Sequence, residues 1–279
     1  MNERYAARLQ IITPNVAINR LAGWLASSTH PWLSQYLIRY FLARYAVNLS
    51  EAMDPNPKNY CSFNDFFTRA LRLDARPLAN CDWTCPVDGA ISQLGNIERD
   101  QLFQAKGHTY STHALLGDDA TLAASVQNGH FCTLYLSPKD YHRIHMPHDG
   151  HLISMAYVPG QLYSVNPGSA RHIPGLFARN ERLVCAFDSA HGPFIMVLVG
   201  ATIVGSIATV WHGAVSPPHC RTPIQWHYPA GTVNLQQGQE MGRFLLGSTV
   251  IVLFPPNRIQ FPTDWIAARL VKLGEAMSH

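Results

Sequence analysis

Charge is the scarcest property of this chain. Only 14% of its 279 residues are Asp, Glu, Lys or Arg, against 47% apolar, whereas about 25% charged is usual in soluble domains. Disorder is excluded, because disordered chains are rich in charge and poor in aromatics. The net charge of +3 comes without any Lys/Arg run, which argues against a nucleic-acid binder. Cysteine is sparse as well, with six at positions 61, 81, 85, 132, 185 and 220. That is too few for a disulfide-stapled scaffold, and Cys81 and Cys85 lack the second pair a zinc site needs; free thiols in a reducing compartment are expected. No clean apolar run or small-residue cleavage site follows Glu3, Arg4 and Arg8, so no secretory signal is expected. The chain has no P-loop, no Gly-x-Gly-x-x-Gly and no Gly-x-Ser-x-Gly, which removes nucleotide cradles and the α/β-hydrolase elbow. Two readings of the low charge remain: a large core, or a surface that meets a partner subunit or lipid.

What is present changes character along the chain. Residues 1–50 carry Arg4, Arg8, Arg20, Arg39 and Arg44 against one acid, Glu3, and Pro14 and Pro31 divide them. Trp32, Leu33, Tyr36, Leu37, Tyr40, Phe41 and Arg44 recur at spacings of three and four, which predicts a helix with these residues broadly on one face. Such a face suits a membrane headgroup region or packing on the chain's own domain. Ser62 caps a second predicted helix with Asp65 as the reciprocal acid. Phe63, Phe66 and Phe67 form its buried side, Arg69 and Arg72 lie late in it, and Arg76-Pro77 ends it.

Beyond Pro86, short β-type runs alternate with Gly, Pro, Asn and Asp. Strands are expected at 87–94, 131–136, 151–158, 183–187, 195–200, 203–210 and 249–254, with a short helix at 111–116 closed by Gly117. Residues 194–210 (FIMVLVGATIVGSIATV) approach a membrane span in length. Their β-branched content and the breaks at Gly200 and Gly205 instead predict two buried strands. No helical pattern recurs at βαβ spacing. The expected class is α+β: a helical region over 1–80, then a largely antiparallel, sandwich-like β domain over 81–279.

Three clusters can carry chemistry. Gly247-Ser248 opens an apolar run, usually just a strand start. Glycine leaves its carbonyl open to a neighbouring hydroxyl and tolerates strained dihedrals. Attack by Ser248 Oγ on the Gly247 carbonyl would convert the peptide to an ester, and elimination and hydrolysis would leave a ketone. Four histidines stand at 142, 145, 148 and 151. Pro147 interrupts a helical His-x-x-His metal site, so proton transfer by His142 or His145 is the better reading. Asp88 lies in Pro86-Val-Asp-Gly89. It is either an ordinary turn residue or an acid placed to orient a histidine.

Leu246-Gly-Ser-Thr249, Tyr141-His-Arg-Ile-His-Met-Pro147 and Pro86-Val-Asp-Gly89 together resemble the phosphatidylserine decarboxylase family in its bacterial, membrane-associated form. FNDFFTR at 63–69, Arg76-Pro-Leu78, Lys106-Gly107, Asn180-Glu-Arg182, Val199-Gly-Ala-Thr202 and Glu240-Met-Gly-Arg-Phe244 agree in the same order. The resemblance implies self-cleavage between Gly247 and Ser248, giving a large and a small chain, with Ser248 becoming a covalent pyruvoyl group. That group would decarboxylate phosphatidylserine to phosphatidylethanolamine through a Schiff base, with no diffusible cofactor and no metal. The resemblance also implies that Asp88 and His145 activate Ser248 and that His142 handles substrate or protons afterwards. It assigns His148 and His151 no role. It further implies peripheral attachment to an anionic membrane surface, on the cytoplasmic face of the inner membrane, and the sparse charge permits a homodimer. A pyruvoyl decarboxylase of a soluble amino acid, and a non-enzymatic β-rich binding module, remain open at this point.

Overall fold

The computed structural model describes residues 15–201, 207–215, 222–245 and 248–278, with side chains from residue 21 onward. Two helices come first, α1 (Asn15–Ser27) and α2 (Pro31–Arg44). Pro31 suits the first turn of α2, where its missing N–H is not needed. The predicted aromatic face is in fact two faces. Ser34, Ile38 and Phe41 are buried, while Trp32, Tyr36 and Tyr40 stand out at 73%, 59% and 62% exposure. The inner face meets α3 (Phe63–Phe67), where Phe41 packs edge-on against Phe63, Phe66 and Phe67 at 5.2–6.0 Å between ring centres.

Ser62 caps α3 as expected, its Oγ accepting from Asp65 N at 3.1 Å. Asp65 reaches back one residue further than expected and accepts from Cys61 N. The helix also ends earlier than expected. Thr68 closes it, donating its hydroxyl to Asn64 O, so Arg69 and Arg72 lie beyond the helix.

The β strands are β1 (Gly89–Asn96), β2 (Gln101–Ala105), β3 (His108–Ser111), β4 (His130–Leu136), β5 (Arg143–His145), β6 (Gly150–Val158), β7 (Arg182–Asp188), β8 (Phe194–Gly200), β9 (Ile207–Thr209), β10 (Gly213–Val215), β11 (Ile224–His227), β12 (Asn234–Leu235), β13 (Glu240–Phe244), β14 (Ser248–Phe254) and β15 (Leu270–Val271). Among the described residues the large sheet runs β11-β6-β7-β8-β14-β4-β1-β15, with β12 also on β6, and a small sheet runs β10-β9-β13-β5. The pairings within both are antiparallel.

The large sheet is covered on both faces, which explains the unbroken apolar runs of β8 and β14. On one face Val250, Val252 and Phe254 share a core with Ile144, Ile207, Met241 and Phe244 of the small sheet, making a sandwich. On the other, Ile251 and Leu253 pack with Leu102, Tyr110, Leu115 and Phe177. These come from the β2–β3 hairpin and from short helices, including α4 (Thr112–Leu115) and, later in the chain, Leu176–Arg179. The 194–210 run divides between β8 and β9 in different sheets, with 202–206 outside the described residues. No helix among the described residues is long and apolar enough to cross a membrane. The described cysteines, Cys61, Cys81, Cys85, Cys132 and Cys185, are free thiols.

Candidate active site

Ser248 is the first residue of β14 and is fully buried. Its strand lies in the middle of the large sheet, paired with Leu136 of β4 on one side and Gly200 of β8 on the other. Gly247 and Leu246 lie outside the described residues.

Where β4 ends, a pinned turn brings the chain back to Ser248. Asp140 Oδ2 accepts from both the N–H and the hydroxyl of Ser137 at 2.7 Å, and Asp140 N donates to Ser137 O. The turn delivers His142 with its ring stacked on Phe67, 4.0 Å between centres. His142 Nε2 lies 3.1 Å from Ser137 O. A carbonyl only accepts, so Nε2 carries the proton and Nδ1 keeps a lone pair. That bare Nδ1 is 3.4 Å from Ser248 Oγ. Burial, and then the charge of Arg69, push the His142 pKa down to about 3, so the imidazole is neutral near pH 7.

His145 lies on β5, three residues on. Its Nδ1–H donates to Gly238 O at 2.8 Å, and its Nε2 accepts from the Tyr141 hydroxyl at 3.0 Å. Burial lowers its pKa, and the Asp88 charge is among the smaller effects opposing this. Its backbone N–H donates to Pro86 O, tying β5 to the segment that carries Asp88.

Asp88 is buried at the head of β1. Gly89 begins that strand rather than making a turn, and a Cβ there would collide with the Tyr135 carbonyl oxygen. Glycine therefore lets β1 and β4 close together directly behind Asp88. The carboxylate accepts from Arg76 Nε at 2.9 Å and from Arg76 Nη2, and also from Leu273 N at 2.9 Å. Arg76 Nη2 reaches Glu51 as well, at 2.8 Å. This pairing raises the Arg76 pKa and lowers that of Glu51.

The structure thus brings Ser248 and His142 together. Among the described residues no hydrogen bond joins Asp88 to His145, or His145 to Ser248. His148 and His151 face elsewhere: His148 packs on Trp83 and His191, and His151 lies 3.9 Å from Asp188. Among the described residues no group of three His, Cys, Asp or Glu side chains is arranged to hold a metal.

The geometry is that of a buried hydroxyl facing a correctly protonated base at a strand start. Known proteins add the context. The sequence matches the family model described as Phosphatidylserine decarboxylase over residues 63–279, and one described as PSD over residues 5–46. This chain belongs to the phosphatidylserine decarboxylase family. A phosphatidylserine decarboxylase proenzyme of Polaromonas naphthalenivorans is 60% identical, over 100% of this chain and 97% of its own length. The proenzymes of Variovorax paradoxus and Acidovorax ebreus are 58% and 59% identical, each over 100% of this chain and 99% of their own length.

Several residues around this decarboxylase-family site carry no catalytic signature in the sequence. Phe67, expected only on the buried side of its helix, also forms the floor under His142. Arg76, expected only to end a helix with Pro77, is the main partner of Asp88. Asp140 and Tyr141 hold the histidine-bearing segment. For Asp140 and Tyr141 the signal is their position beside the His-Arg-Ile-His motif, whereas the pairing of Phe67 with His142 and of Arg76 with Asp88 is set only by the fold.

Proposed function

We propose that this chain is a proenzyme that cuts itself between Gly247 and Ser248 and then decarboxylates phosphatidylserine to phosphatidylethanolamine. The observation that carries this reading is the fully buried Ser248 hydroxyl, 3.4 Å from the bare Nδ1 of a neutral imidazole in a chain of this family. Ser248 Oγ attacks the Gly247 carbonyl carbon, the C–N bond breaks, and the acyl group moves from nitrogen to oxygen. Loss of the residue-248 Cα proton expels Gly247 as a carboxylate and leaves an alkene. Hydrolysis of that alkene releases ammonia and leaves a ketone. The resulting pyruvoyl group supplies an electron sink for an amine-bearing substrate, so no diffusible cofactor is needed.

The surroundings fit such a group. Residue 248 is held by β4 and β8 on either side, and His142 is the polar side chain beside it. Geometry favours His142 as the partner of the Ser248 hydroxyl, whereas basicity favours His145. An imidazole with a pKa near 3 is a weak base; burial lowers the His145 pKa too, but the Gly238 hydrogen bond, the Glu240 charge and, least, the Asp88 charge oppose it. We therefore assign activation of Ser248 to His145 with Asp88. Because Gly238 O fixes the His145 tautomer, Asp88 acts on it through charge. The Tyr141 hydrogen bond to Nε2 must open before His145 can receive the proton. His142 orients the hydroxyl first and moves the proton during decarboxylation afterwards. The outward aromatics of α1 and α2, with the exposed Arg39 and Arg44, support docking on an anionic bilayer, and the surface in this reading is the cytoplasmic face of the inner membrane.

Intact mass spectrometry tests the reading. The expected result is two chains, residues 1–247 and 248–279, the smaller beginning with a ketone, and activity on phosphatidylserine vesicles but not on free serine. Ser248→Ala should give one uncut, inactive chain. A wild-type protein that stays full length and still converts the lipid would overturn the proposal.

A further inference from the structure

Arg69 is buried, with 4% of its surface exposed, yet most of its hydrogen-bonding capacity is unused. Its Nη2 donates to Lys139 O at 3.3 Å and the guanidinium lies over the Phe66 ring, while Nε and Nη1 have no hydrogen-bond partner among the described residues. A buried guanidinium with unpaired donors is costly unless something else completes it. Arg69 lines a cavity of about 240 Å³, also walled by Arg76, Asp88, Lys139, Asp140 and Lys272. The charges there do not cancel. Asp88 and Glu51 are both taken by Arg76, Glu51 also lies 3.8 Å from Lys272, and the Asp140 carboxylate is already turned to Ser137. Among the described residues neither Arg69 nor the exposed Lys139 forms an ion pair, and the lining sets Arg69, Arg76, Lys139 and Lys272 against Glu51, Asp88 and Asp140, an excess of one positive charge that suits one monoanion.

The position of the cavity relates it to the reaction. Its wall includes Lys139, Asp140 and Tyr141, the residues immediately before His142 in the chain, and the Arg69 charge is felt at the His142 ring. The volume is below the roughly 300–1,000 Å³ of drug-sized sites, so it suits part of a headgroup and not acyl chains. Two anions of the substrate could enter. Pairing the carboxylate with Arg69 would stabilise the charge that must be lost as carbon dioxide, which opposes the reaction. Pairing the phosphate anchors the headgroup and leaves the reacting carbons free. Arginine also suits phosphate by its planar set of donors.

We infer that the cavity lined by Arg69, Lys139 and Lys272 binds the phosphate diester of the substrate's headgroup, an inference that rests on the function proposed above. The test uses the full chain, with folding checked by circular dichroism. Calorimetry would measure binding of glycerophosphoethanolamine, which has the diester but no carboxylate, with inorganic phosphate and free serine as separate arms. Glycerophosphoethanolamine should bind wild type and lose about ten- to hundredfold in Arg69→Gln, the effect of deleting a charge-assisted hydrogen bond. Lys139→Gln, an exposed and structurally safer change, should lose less. In activity assays Arg69→Gln should raise KM more than it lowers kcat. Equal binding by wild type and Arg69→Gln would overturn the inference. So would binding of inorganic phosphate alone, which would assign the cavity to free phosphate, or a preference for serine, which would assign it to the carboxylate. The binding arm needs no turnover. Arg69-dependent binding by a chain that neither cuts nor decarboxylates would sink the function and keep the site.

Discussion

A proton on His142 Nε2 is dictated by one carbonyl, Ser137 O, and that fixes which nitrogen faces Ser248. The same local logic holds at His145, where Gly238 O claims Nδ1–H and leaves Nε2 to accept from Tyr141. Two histidines three residues apart are thus held neutral in defined tautomers, but only one touches the hydroxyl. This separation predicts different mutant phenotypes. His142→Ala should cut slowly but substantially, and should lose decarboxylation by about 10²–10⁴-fold, the usual range for a positioned acid–base group. His145→Ala should accumulate uncut chain, and Asp88→Asn should slow cutting without changing the His145 tautomer. Time courses of cutting on denaturing gels, set beside activity per cut chain, check all three. Rapid cutting in His145→Ala together with none in His142→Ala would transfer the base role to His142. The Asp88 and Arg76 pair also has a structural side. Removing Arg76 alone would leave a buried carboxylate with Leu273 N as its remaining hydrogen-bond donor, a change that typically costs about 3–5 kcal/mol.

At the scale of elements, α2 has two jobs separated by face. Its inner residue Phe41 meets Phe67 at 5.9 Å, and Phe67 carries the His142 ring at 4.0 Å. Two ring contacts therefore connect the helix to the reactive hydroxyl. Its outer residues Trp32, Tyr36 and Tyr40 follow one another at intervals of four, and Trp32 stacks on Tyr36. On α1, Trp24 and Leu21 are also exposed, at 66% and 58%. Aromatic rings with Arg39 and Arg44 nearby fit the headgroup layer of a bilayer. Replacing Trp32, Tyr36 and Tyr40 together by Ala should weaken sedimentation with phosphatidylglycerol-containing vesicles by at least about tenfold, since a fully buried aromatic is worth about 1.5–3 kcal/mol. Self-cleavage should persist, because none of the three packs in the core. Undiminished sedimentation would remove α2 from the membrane contact.

The same elements show what the amino-acid order reveals and what it hides. The long strands β4, β6, β7, β8 and β14 were legible to within a residue or two, because β-branched runs between Gly, Pro and Asn signal buried strands directly. Strand β9 falls inside the expected 203–210 strand, whose residues 203–206 lie outside the described ones, whereas β5, β10, β12 and β15 span two or three residues each, too few to carry a period. The β2–β3 hairpin was missed as well, although Lys106 and Gly107, both at positive φ, turn it. The early end of α3 was hidden because Thr68 stops it through its own side chain. Of the site, Ser248 and the two histidines were visible as residue types in family order. Which histidine meets the hydroxyl was not visible, since His142 is placed by Phe67 and Ser137, and neither carries a catalytic signature.

For the molecule as a whole, the question is what a cut at the head of a central strand does to the fold. Residues 248–254 hydrogen-bond to β4 along their full length, and 248–253 pair with β8. Val250, Ile251, Val252, Leu253 and Phe254 are all fully buried, and they divide between the two cores of the sandwich. At about 1.5–3 kcal/mol per buried side chain, these five alone contribute on the order of 10 kcal/mol to keeping the strand in place. The tail adds further ties: Leu273 N donates to Asp88, Gly274 N to Cys85 O and Met277 N to Trp83 O, while β15 pairs with β1. One of these ties ends on a proposed catalytic carboxylate, so the small chain also helps hold the site that produced it. The cut protein should therefore behave as one body. Both chains should co-elute from a sizing column in native buffer and separate only in concentrated denaturant, and the melting temperature of the cut form should be close to that of uncut Ser248→Ala. Release of the 248–279 chain in native buffer would mean that the ladder and cores around β14 do not hold it after the backbone is broken.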